Sequence, residues 1–227
     1  MKFYDKLQAA TEQSRNDLFD IPFMQAGMAG NITLQSYVAF LSQAYHHVKH
    51  TTPLLMAVGS RIPSEKEWLR DAIAHYIEEE LGHQEWILND IAACGFDAEQ
   101  VRHGQPSFAT ELMVAYAYDT ITRNNPLGFF GMVQVLEGTS IVAASTAADH
   151  IRENLDLPKK AFSYLYSHGA LDLEHVDFFE SLMNRVDDEA DQQAIIHCAN
   201  IFYKLYGDIF RTLPLEYLEE SKHAAAG

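Results

Sequence analysis

LGFFGMVQVLEGTSIVAASTAA, residues 127–148, is the stretch on which the fold turns. It is long and apolar enough to be mistaken for a membrane span, since about 20 apolar residues cross a bilayer as a helix. Its polar residues argue otherwise. Gln134, Glu137, Thr139, Ser140, Ser145 and Thr146 interrupt it, and ordinary amphipathic patterns lie on both sides. A helix apolar nearly all round and flanked by amphipathic ones is the buried centre of a bundle. No membrane partner is expected.

Outward from this centre, helical periodicities alternate with short breaks, and no stretch keeps the two-residue alternation of a strand. The spacing predicts a first helix from about residue 2 to 18, ending before Ile21-Pro22. Gly27 and Gly30 mark a turn, and Asn31 or Thr33 caps a helix reaching Gly59. Pro63-Ser64-Glu65 opens a long helix that continues to Cys94-Gly95, with Ser64 and Glu67 at capping-box spacing. Ser107 caps a helix to Arg123, and Asn124-Asn125-Pro126 breaks it and opens the central one, which ends near Asp149. A region from Pro158 through Met183, with Gly169 as a candidate bend, and a last helix from Asp188 to Arg211 complete the chain. About seven helices with short connections predict an all-α bundle, one domain over residues 1–227.

Composition narrows the function. The chain is 48% hydrophobic, enough for one sizeable core. Its two cysteines, Cys94 and Cys198, stand in no redox or metal-finger spacing, and Met1-Lys2-Phe3-Tyr4-Asp5 begins no apolar leader. Both observations point to the cytoplasm. With 32 acidic against 16 basic residues the net charge is -16, which repels a phosphate backbone, so no nucleic-acid partner is expected.

Three segments carry chemistry. In Glu79-Glu80-Leu81-Gly82-His83, Glu80 and His83 are three apart, about 60° on a helix face. That is the Glu-x-x-His spacing of carboxylate-bridged metal sites in bundles, and Glu79 is a rival ligand. Glu137 is the one charged residue between Leu127 and Ala148. A carboxylate buried there must be protonated, paired with a cationic side chain, or bound to a metal. In His168-Gly-Ala-Leu-Asp172-Leu-Glu-His175, spacings of four and seven put two imidazoles and a carboxylate on one stripe. Each segment also has an ordinary reading, as solvated pairs or core residues. Together they offer three carboxylates and three imidazoles, more than a structural zinc requires and richer in nitrogen than magnesium prefers. The set points to two iron ions, with manganese as the alternative and positions left open for dioxygen as co-substrate. Gly82, Gly138 and Gly169 each adjoin a candidate ligand.

At these residues the chain resembles the haem-oxygenase-like di-iron oxidases, within the superfamily of TenA thiaminases and pyrroloquinoline quinone synthase (PqqC-like). The order of a Glu/His helix, an isolated helical Glu and His-x-x-x-Asp-x-x-His carries the likeness. Gly30-Asn31-Ile32-Thr33 through Tyr45-His46-His47-Val48 resembles that superfamily's second helix. The resemblance implies Glu80, His83, Glu137, His168, Asp172 and His175 as metal ligands, with Glu137 bridging and catalytic. It implies a non-haem di-iron oxidase or oxygenase acting on a small organic acid or amine, and a homodimer. The alternative is a metal-free TenA- or PqqC-like protein that binds or processes a heterocyclic metabolite. TenA thiaminases use a cysteine on the central helix, and residues 133–145 hold none, which disfavours thiaminase chemistry. Secondary candidates for substrate contact are His46, His47 and His50, Tyr116, Tyr118 and Tyr164, and Arg123 or Arg152 as a carboxylate anchor.

Overall fold

The computed structural model describes residues 1–218, apart from the side chains of residues 168–175. It is 78% helical, and the described residues include no strand. The helices are α1 (Phe3–Ala10), α2 (Glu12–Phe19), α3 (Pro22–Met28), α4 (Leu34–Val48), α5 (Thr51–Gly59) and α6 (Trp68–Glu80). They continue with α7 (His83–Ala93), α8 (Ala98–Arg102), α9 (Phe108–Arg123), α10 (Phe129–Asn154), α11 (Ser163–Met183) and α12 (Glu189–Thr212). One contiguous apolar core runs through them from Phe3 to Leu213.

There are more helices than the seven expected because three long ones are interrupted. Between α1 and α2, Thr11 Oγ1 donates to the carbonyl of Leu7 at 2.8 Å, a back-bond that disturbs helical geometry. Between α4 and α5 the cause is Pro53, which lacks an N–H and crowds the carbonyl four residues back, at Lys49. The third interruption, between α6 and α7, is taken up below. Short α3 and α8 fill stretches read from the sequence as turn and loop, and α10 runs five residues past Asp149. The capping box does not form. Ser64 begins a short 3-10 turn, and Glu67 instead accepts from Arg70 at 3.3 Å. Thr33, Ser107 and Asp188 do cap α4, α9 and α12.

α10 is the centre of the bundle. Residues Pro126–Asn154 pass the length and composition test for a membrane span, but 67% of the apolar window is buried by the other helices. α11 packs against α10 more extensively than any other pair of elements does, and α12 follows. Where α10 crosses α12, a Cβ on Gly131 would lie 2.5 Å from the Ala199 nitrogen, so the two backbones touch.

Candidate metal centre

The sequence places Glu80 and His83 on one continuous helix, and the structure corrects this. α6 ends at Glu80. Leu81 then takes φ -63, ψ 116 and Gly82 takes φ 91, ψ -1 before α7 starts at His83. Those angles define a type II β-turn whose first and last residues are Glu80 and His83, with glycine at the position that needs positive φ. The two side chains meet all the same, His83 Nδ1 lying 3.2 Å from Glu80 Oε2. His83 is buried, and its ring stacks on Trp86 with centroids 4.0 Å apart. Glu79 turns elsewhere, 3.4 Å from His75 Nε2. Of the two rival carboxylates, Glu80 is the one beside His83.

Glu137 lies on α10 and is half-buried, less enclosed than its apolar neighbours in sequence imply. It shares one cavity with Glu80, and Ser140 Oγ donates to its backbone carbonyl at 2.8 Å. The His168, Asp172 and His175 side chains lie outside the described residues. Their helix, α11, is continuous, packs on α7 and α10, and touches α6 where Phe178 meets the rings of His75 and Tyr76 at 5.0 and 5.4 Å. Among the described residues, no three His, Cys, Asp or Glu side chains form a group ready for a metal ion.

What sets the position of α11 is a residue the sequence reading passed over. Asp90, fully buried on α7, accepts hydrogen bonds from the backbone nitrogens of Ser163 and Tyr164, each at 2.9 Å, and from the Ser163 hydroxyl. These are orphan donors in the first turn of α11, capped here from another helix. Burial nonetheless pushes the Asp90 carboxyl above its ordinary range. His83 and Asp90 are seven residues apart, about 20° in azimuth, so both lie on one side of α7. Tyr37 adds a second tie, its hydroxyl donating to the Ala161 carbonyl at 2.9 Å.

The cavity holding Glu80 and Glu137 is otherwise mostly apolar, with Phe23, Met24, Phe40, Leu55, Phe129 and Met132 in its wall. Of the secondary candidates, His47 and Tyr164 reach it. His47 is buried and meets Tyr206 edge-on at 5.8 Å. His46 turns away, beside Lys49 Nζ at 3.3 Å, with its pKa lowered to about 4 by burial and by that ammonium. His50 pairs with the Tyr118 hydroxyl at 3.2 Å, and Tyr116 with Cys198 at 3.5 Å. Arg123 is exposed against Asp119, and Arg152 donates to Tyr166, so neither lines the cavity. Burial raises the Cys94 thiol to about 11 and pushes Cys198 up as well, which keeps both protonated and poorly nucleophilic.

Comparison with known proteins agrees with this architecture. A domain of unknown function with a heme oxygenase-like fold from Shewanella denitrificans superposes with a TM-score of 0.81 at 23% identity, over 93% of this chain and 91% of that one. A TenA homologue from P. horikoshii gives 0.75 at 14%, over 93% and 97%. Heme oxygenase-2 from Synechocystis, in complex with heme and NO, gives 0.74 at 16%, over 93% and 84%. At these identities the likeness is one of fold. No curated protein matches the chain. Residues 38–207 match a family described as iron-containing redox enzymes, a span that runs from within α4 through most of α12 and includes every candidate ligand. The chain belongs to this iron-containing redox enzyme family, on a haem-oxygenase-like fold.

Proposed function

We propose that the protein is a non-haem di-iron oxidase or oxygenase, its two iron ions held by Glu80, His83, Glu137, His168, Asp172 and His175. The observation that carries this reading is the turn between α6 and α7. It brings a carboxylate oxygen and an imidazole nitrogen within 3.2 Å of each other at a cavity that Glu137 also lines. A carboxylate oxygen and an imidazole nitrogen this close together could be held by one shared first-row metal. Mixed oxygen and nitrogen donors fit iron, with manganese the nearest substitute.

Iron bound here supplies the reduction of dioxygen, a redox chemistry that no side chain of the protein provides. The chain's own residues do the rest. Trp86 stacked on His83 fixes the plane of the imidazole. Asp90 ties to α7 the first turn of α11, the helix whose sequence carries His168, Asp172 and His175. The apolar wall keeps water from the reacting bond of the substrate. Anaerobic titration of the metal-free protein with Fe(II) should reach about two equivalents, the stoichiometry of a paired-carboxylate site. Uptake no greater than that of a His168→Ala, His175→Ala double variant would end this reading in favour of a metal-free binding protein.

A further inference from the structure

Taking the cavity as the substrate site, a step that rests on the function proposed above, we infer that Gly27 sets the width available to the apolar end of the substrate, and that this end is an unbranched hydrocarbon chain. The cavity follows α10 from Phe129 to Ile151, about 33 Å of helix at 1.5 Å per residue. Its volume is about 150 Å³, the scale of an apolar protein cavity that holds benzene. Space of that volume drawn out along several turns of helix is a slot. An extended chain fills it, and a ring of equal carbon number does not.

Gly27 is the residue the fold leaves unexplained. It lies in α3, where Phe23, Met24, Gly27 and Met28 line the cavity, and Phe23 and Gly27 are one turn apart on that face. Glycine inside a helix is less stable than alanine, so its presence calls for a reason. Two ordinary reasons fail. Its φ is not positive, unlike that of Gly30, Gly82 and Gly95, so no left-handed backbone demands it. A Cβ built on it meets no neighbouring group within 4 Å among the described residues, unlike one on Gly131, so no helix crossing demands it either. What a side chain here would take away is space in the cavity. His150 Nδ1 lies 2.7 Å from the Met28 carbonyl oxygen, which sets the end of α3 beside the C-terminal part of α10. There α10 lines the cavity with Ala143, Ala144 and Ala147, whereas its N-terminal part contributes Phe129, Met132 and Val133. From Glu137 to Ala147 is about 15 Å of helix, so an extended chain whose reacting end sits at Glu137 has its tail at the glycine.

A chain and a ring of equal carbon number test this. Decan-1-ol and cyclodecanol are titrated calorimetrically, without oxygen, into metal-free and Fe(II)-loaded protein whose iron content is measured on the same samples. Decan-1-ol should bind at least tenfold more tightly than cyclodecanol in both forms. Gly27→Leu should weaken decan-1-ol at least tenfold. Gly27→Ala, which adds a single methyl, should weaken it less and should raise the melting temperature of the metal-free protein. Cyclodecanol binding as tightly as decan-1-ol, or decan-1-ol failing to bind, overturns the inference. So does unchanged decan-1-ol affinity in Gly27→Leu, and so does a Gly27→Ala protein that melts below the wild type, because the glycine then serves the fold. Failure to load iron ends the di-iron reading alone, since the metal-free protein reports on the cavity by itself.

Discussion

Two glycines mark two regions built on opposite principles. At the α10–α12 crossing, Gly131 is required because there is no room: a Cβ would sit 2.5 Å from the Ala199 nitrogen and 2.8 Å from the Ile195 oxygen. Every residue of α10 from Phe129 to Val135 is buried here. At the α6–α7 turn, Gly82 has open space, and what it supplies is a positive φ. The crossing is packing without chemistry. The turn interrupts helical hydrogen bonding and exposes Leu81, and it brings Glu80 to His83. Stability and site are therefore carried by different segments, and substitutions should separate them.

The sharpest break of that contrast is Gly131→Ala. An added methyl must push two helices apart, so urea unfolding should show a loss of about 3 kcal/mol, the upper part of the overpacking range. Iron uptake per folded molecule should not change, and a loss of uptake would mean the crossing also shapes the site. Gly82→Ala comes next. With space available the cost is the left-handed backbone alone, about 1–2 kcal/mol. Here iron uptake should fall with stability, because relaxing the turn carries His83 away from Glu80. Unchanged uptake would detach the turn from the metal reading.

Gly138 gives the smallest effect and sharpens the comparison by its indifference. It sits inside α10 one residue after Glu137, and its nearest neighbour would be Gln134 Nε2 at 3.5 Å, an ordinary contact. Gly138→Ala should raise the melting temperature slightly, by about 0.5–1 kcal/mol of stability, through lost freedom of the unfolded chain. A fall in stability would show that this stretch of helix is more crowded than the geometry indicates.

The bundle was legible because its signals are local. An apolar stretch with one carboxylate announced the central helix, and Thr33, Ser107 and Asp188 announced three helix starts. Pro53 held the α4–α5 break in plain view, but periodicity alone bridges it. The α6–α7 break was harder, since one glycine in a helical pattern is compatible with either outcome. The same three-residue spacing serves a helix face and a β-turn alike, so Glu80 and His83 were paired for an incorrect reason. Asp90 was invisible, because a carboxylate that caps a distant helix looks like any other helical Asp. Which histidine of His46, His47 and His50 meets the cavity depended on helix phase and on the break at Lys49, neither of which composition contains.

The account rests on Glu137, and its replacement by glutamine tests it most directly. Glutamine keeps the shape and removes the charge that a metal needs. Metal-free Glu137→Gln protein should melt no lower than the wild type, while Fe(II) uptake in anaerobic titration should fall at least tenfold. A Glu137 held in a structural ion pair predicts the reverse, a loss of about 3–5 kcal/mol as its partner is left buried and unpaired. A large drop in the melting temperature with undiminished iron binding would contradict the metal site proposed here.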